Sequence, residues 1–182
     1  NSTLAKVGDA FGTVGDKATK AGEKMMPVTA GITALGAAGV AASMELDNGY
    51  DTIITKTGAT GEALESLTTV ADNVFSDMPT TMDDVGVAVG EVNTRFGATG
   101  TELENLSKEF IKFANINGTD LNTAIDSVDS IMTKFGVDAS QTKNVLGLMT
   151  KAGQDTGISM ETLETALTTN GASLKEMGLD LT

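Results

Sequence analysis

The chain has 182 residues and a net charge of −13, and it contains no Cys, no His and no Trp. The missing cysteines exclude a disulfide framework and a thiolate metal site, and the missing histidines remove the commonest metal ligand and the commonest general base. Six Phe and one Tyr are too few aromatics for a typical β-sandwich, and a core of Leu, Val, Ile, Met and Ala suits packed helices. The charge is uneven. Residues 1–40 hold four Lys against three Asp/Glu, and the remainder holds 8 basic and 22 acidic residues. A surface that acidic repels phosphates, so no direct nucleic-acid binding is expected.

Residues 1–50 read as a helical arm. Small or apolar residues at Leu4, Val7, Phe11, Val14, Ala18, Ala21, Met25, Val28, Ile32, Leu35, Gly39, Ala42 and Leu46 step alternately by three and four. That is an a/d heptad, the pattern of a coiled-coil seam. Leu4, Val7, Phe11, Val14, Met25, Ile32, Leu35 and Leu46 are the expected oligomer seam, through which copies of the arm would self-associate. Pro27 interrupts the arm, which predicts two helices, about 3–25 and 28–48, because an interior Pro removes a backbone donor and clashes with the preceding turn. Between Lys24 and Glu45 lie 20 residues without a charge. This stretch, 25–44, is long enough to span a bilayer. It is also rich in Ala, Gly and Thr, so two readings stand: a buried or oligomeric helix, or a conditional segment for host membrane contact.

From residue 57 the chain echoes itself. Thr57-Gly58-Ala59-Thr60-Gly61 returns as Phe96-Gly97-Ala98-Thr99-Gly100, a step of 96 − 57 = 39, and Phe96-Gly97 returns as Phe135-Gly136 after another 39. A fixed period of roughly 20 to 50 residues marks a repeated supersecondary unit. On this lattice Met82 matches Leu121 and Met160, and Val89 matches Val128 and Leu167. Within each unit the apolar spacing is three and four, hence helical. Breaks at Pro79, Gly118 and Gly157 divide each unit into a pair: about 61–76 with 80–95, 100–116 with 119–134, and 139–155 with 159–176. Thr101 with Glu104, Thr81 with Asp84 and Asp138 with Gln141 have capping-box spacing. The expected fold is therefore all-α: an extended heptad-patterned arm over 1–50, then three helix pairs over 57–182. The third pair should weaken after Leu167, where Asn170-Gly171 interrupts the pattern.

No constellation for catalysis emerges, so no catalytic, cofactor-binding or metal-ligating residue is expected. Asp83-Asp84, Asp126 with Asp129, and Glu161 with Glu164 are carboxylate pairs of the kind glycosidases use. Their positions on presumed polar faces and helix N-termini point instead to solvated surfaces and caps. Asp120-Leu121-Asn122 opens like a calcium loop but lacks the sixth-position Gly and the closing Glu. The chain reads as a packing and assembly element, not an enzyme.

The order of these features resembles the conserved core region of phage tail tape-measure proteins. The residues that carry the resemblance begin with Gly22-Glu23-Lys24-Met25-Met26-Pro27-Val28-Thr29 and Ala42-Ser43-Met44-Glu45. They continue with Phe113-Ala114, Gly118-Thr119-Asp120-Leu121, Phe135-Gly136-Val137, Ala152-Gly153, Gly157-Ile158-Ser159-Met160-Glu161-Thr162-Leu163 and Met177-Gly178-Leu179. The resemblance implies a structural virion protein that sets tail length during assembly, fills the tail-tube lumen and leaves it during DNA ejection. It implies a lifetime in the host cytoplasm before assembly. It also implies tail tube, tail tip or assembly chaperone proteins as partners, and no cofactor. Both ends of the chain lie in a continuing helical pattern, which reads as a segment of a longer polypeptide. The alternatives are a soluble helical-repeat adaptor for protein interaction, or a membrane-active segment that helps the genome into the host.

Overall fold

The computed structural model describes residues 35–179 and Leu181, with side-chain surroundings from Glu45 onward. The described residues are all-α. The helices are α1 (Leu35–Thr57), α2 (Gly61–Asp77), α3 (Met82–Phe96), α4 (Gly100–Asn117), α5 (Leu121–Phe135), α6 (Thr142–Thr156) and α7 (Met160–Glu176). A single 3-10 turn, Ala139–Gln141, precedes α6. A packed unit runs from Glu45 to Thr182.

The connections are short and each has a local cause. Gly97 and Gly136 end α3 and α5 in the left-handed region at φ 66° and 67°, a conformation a side chain would strain, and their N–H groups close onto carbonyls of the last turn. At the starts, Thr81 accepts from the Asp84 N–H at 3.1 Å and Asp120 from the Thr123 N–H at 2.8 Å. These bonds satisfy donors that the helix itself leaves unpaired. The cap expected at Thr101 is not used: α4 begins at Gly100, with Thr99 as its N-cap, two residues before Thr101, and no side-chain bond there. Asp138 caps the 3-10 turn through the Ser140 N–H at 2.9 Å, so regular helix begins only at Thr142.

The helices form two layers. In one, α2, α4 and α6 lie side by side; in the other, α3, α5 and α7 do, and successive helices pack across the layers. The starts of α3, α5 and α7 at residues 82, 121 and 160 differ by 39 each. Between the layers runs one core, with Met82, Val89, Leu103, Phe110, Ile125, Ile131, Val145 and Met149 at 2 % exposure or less. Each such side chain contributes about 1.5–3 kcal/mol by leaving water. Phe110 meets Phe96 at a ring-centroid distance of 5.4 Å.

Two elements depart from the expected course. The second arm helix does not stop near residue 48. It runs on to Thr57, and its residues from 45 join the second layer beside α3, with Ile53 fully buried. The reason is register: Ile53 lies 39 before Val92 and 78 before Ile131, and all three are buried at 0 % exposure. Nor does Asn170-Gly171 interrupt α7. Gly171 lies inside the helix and is buried, and a Cβ there would sit 3.1 Å from the Phe135 ring, so the missing side chain admits that ring.

Candidate functional site

The second layer is a row of helices, α1, α3, α5 and α7, and its three junctions are built on one register. Gly49 of α1 faces Gly86 of α3: a Cβ on Gly86 would lie 2.5 Å from the Gly49 carbonyl oxygen and 3.0 Å from Thr52 Cβ. The pair is 86 − 49 = 37 residues apart. One repeat later the same spacing gives Ala88 and Ile125, both at 0 % exposure. One repeat further it gives Ser127 and Glu164, whose side chains interact across the junction. Equivalent places thus hold a glycine pair, an apolar pair and a hydroxyl against an acid.

A ladder of cations runs along the same layer. Lys56, Arg95 and Lys134 are spaced by 39, and each reaches forward to the next helix. Lys56 Nζ bonds Glu91 Oε1 at 2.6 Å and Asn122 Oδ1 at 3.0 Å. Arg95 bonds Glu91 at 2.6 Å, Asp126 at 2.9 Å and Asp129 at 3.4 Å. Lys134 donates to the Thr168 carbonyl of α7. Partial desolvation would raise the Glu91 carboxyl, but the hydrogen bonds from Lys56 and Arg95 outweigh it and hold the group below its ordinary range. The sequence signal for this ladder was the 39-residue step between three cations, which the apolar pattern does not draw on.

The last junction contains the one strongly perturbed acid of the layer. Glu164 is 4 % exposed, and its Oε1 has no hydrogen-bond partner among the described residues. Burial pushes its carboxyl up to about 7; the Ser127 hydrogen bond pulls the other way, and the like charge of Glu161 adds to the rise. This corrects the expectation that Glu161 and Glu164 share a solvated face: only Glu161 is exposed. The other carboxylate pairs do lie where surfaces and caps put them. Asp84 accepts from the Thr81 hydroxyl at 2.8 Å, and Asp126 and Asp129 receive Arg95. Asp120 is held below its ordinary range by the Thr123 backbone and hydroxyl, and so acts as a cap, not a calcium ligand.

Strongly shifted carboxyls mark functional sites when they line a cleft. Glu164 lies inside a helix junction, whereas the open groove on α7 is lined by Glu161, Thr162, Thr165, Ala166, Thr169 and Asn170. A second open groove, along α1, is lined by Asn48, Asp51, Thr52, Thr55, Lys56 and Asp83. Among the described residues no group of acids is placed to hold a metal ion, and no helix is long and apolar enough to cross a membrane. Of the expected seam, Leu4, Val7, Phe11, Val14, Met25 and Ile32 lie outside the described residues, as does most of the 25–44 stretch. Leu35 opens α1, and Leu46 is partly buried against the core of the helix pairs.

Residues 71–182, more than half of the chain, match the family described as phage-related minor tail protein. No curated protein and no solved structure matches the chain.

Proposed function

Since the chain belongs to the phage-related minor tail protein family, and is therefore a structural component of the virion tail that works among other tail proteins, we propose that it is part of a tape measure. In this reading it occupies the tail-tube lumen, sets tail length during assembly in the host cytoplasm, and leaves the tube during DNA ejection. Its work is assembly, not catalysis.

The observation that carries the reading is the family match over 71–182 joined, in one chain, to the heptad pattern of 1–50. Length measurement needs an element whose extent is proportional to residue number, and a helix rises about 1.5 Å per residue. The heptad seam from Leu4 to Leu46 suits copies bundled along a tube, with self-association as the consequence. The helix pairs suit a compact module at a tail end, in contact with tail tube, tail tip or chaperone proteins. Division of the chain into these two working parts, about 1–50 and 57–182, belongs to the same proposal, as does membrane contact by 25–44 at the moment of release.

Intact and emptied tails test it. Purified virions should contain the chain shielded from added protease, and tails that have ejected their DNA should have lost it. A chain that is cleaved in intact virions, or retained in full after ejection, would contradict the lumen assignment.

A further inference from the structure

The chain places an acid at the α5–α7 junction where the equivalent junctions have Gly86 and Ile125. Such a substitution is costly unless the carboxyl is neutral, because a buried charge without a partner forfeits its hydration. We propose that the α5–α7 junction is a latch worked by a single proton: with Glu164 neutral, α7 docks on α5, and with Glu164 ionised, α7 releases. The proposal stands on this chain's own packing and does not depend on the tape-measure reading.

The surroundings of Glu164 are what a latch requires. Its Oε1 is buried and unpartnered among the described residues, and the Ser127 hydroxyl of α5 is the neighbour that favours its ionised form. Among the described residues no cation is spared for it. On α5, Asp126 and Asp129 are engaged with Arg95, and Lys134 with the Thr168 carbonyl. On α6, Lys143 pairs with Glu109 at 3.4 Å and Lys151 with Asp155 at 2.6 Å. On α7 itself, Glu161 lies one turn earlier and repels the ionised form, while Lys175 is spent on the Phe135 carbonyl at 2.5 Å. Release would break the Lys134 and Lys175 bonds to the facing helix together, so the helix leaves as a unit. The chain has no histidine to titrate over the same range.

The sign follows from linkage. The docked carboxyl titrates near 7 and the released one near its ordinary 4.5, so docking is strongest at low pH, weakens as pH rises through 4.5, and levels off above about 7. Between pH 5 and pH 8 the docked-to-released ratio falls roughly 70-fold for a group shifted from 4.5 to about 7.

Amide hydrogen exchange on the full chain, corrected for intrinsic rates, reads this directly. Protection across 160–176 should fall by that factor from pH 5 to pH 8 while protection across 82–96 holds. Glu164→Gln should remove the dependence and keep α7 protected at pH 8. Carboxyl NMR titration of the unsubstituted chain supplies an independent reading should Glu164→Gln fail to fold: a midpoint near 7 supports the latch. A midpoint near 4.5, a fall shared equally by α3 and α7, or a fall that persists in Glu164→Gln would overturn it.

Discussion

The first and last junctions of the second layer share a register and differ in everything placed on it. At α1–α3, Gly49 and Gly86 let two backbones touch, with the Met82 backbone also within 2.5 Å of where a Gly49 Cβ would stand. At α5–α7, Ser127 and Glu164 put a hydroxyl and a carboxyl into the same seam. The first junction resists by shape, and the Lys56–Glu91 ion pair that crosses it holds the carboxyl below its ordinary range. The last depends on one proton. A repeat lattice therefore fixes where side chains meet without fixing how firmly the units hold, and firmness is written position by position.

The two junctions can be broken separately. The largest effect should come from Gly86→Val, whose first added carbon would meet the Gly49 carbonyl oxygen at 2.5 Å. Backbone has to move to admit it. A loss of about 3 kcal/mol is expected from overpacking of this kind, visible as a lower urea midpoint and equal at pH 5 and pH 8. A smaller loss at pH 5 than at pH 8 would show that the first junction also titrates. Substitution of Glu164 acts in the opposite sense, on the last junction alone and only toward higher pH. The smallest effect should come from Arg95→Ala, in the middle of the ladder. Its partners are partly exposed, with Glu91 at 14 % and Asp126 at 63 %, so about 1 kcal/mol is expected at low salt and less at high salt. An Arg95→Ala loss undiminished by salt would place its contribution in packing and not in charge.

Much of this architecture was legible before the structure. The period of 39 and the three-and-four apolar spacing located the helices because both follow from the geometry of packed helices. Bounds were right to within a residue or two at Gly61, Met82, Gly100, Leu121 and Met160. Two features escaped for a common reason. Counting the repeat forward from Thr57 leaves Gly49 in the arm and Ile53 in neither part, although they stand 39 residues before Ala88 and Val92. Glu164 was read with Glu161 as a polar face, although its own lattice equivalents are Gly86 and Ile125, both buried. An apolar-pattern search passes over a polar residue at a core position. Comparing each position with its counterparts one period away exposes it. Gly171 shows the converse error: glycine was taken as a break where a neighbouring ring needed the space.

Tail length is the most direct test of the tape-measure account. In-frame removal of residues 4–38 takes out 35 residues, and at about 1.5 Å per residue it should shorten the tail by about 52 Å in electron micrographs of otherwise viable virions. Removal of one 39-residue helix pair, 100–138, should shorten it far less if that module stays stacked, because packed helices lie only about 8–10 Å apart. Tails of unchanged length after loss of 4–38 would contradict the claim that this arm is part of the ruler.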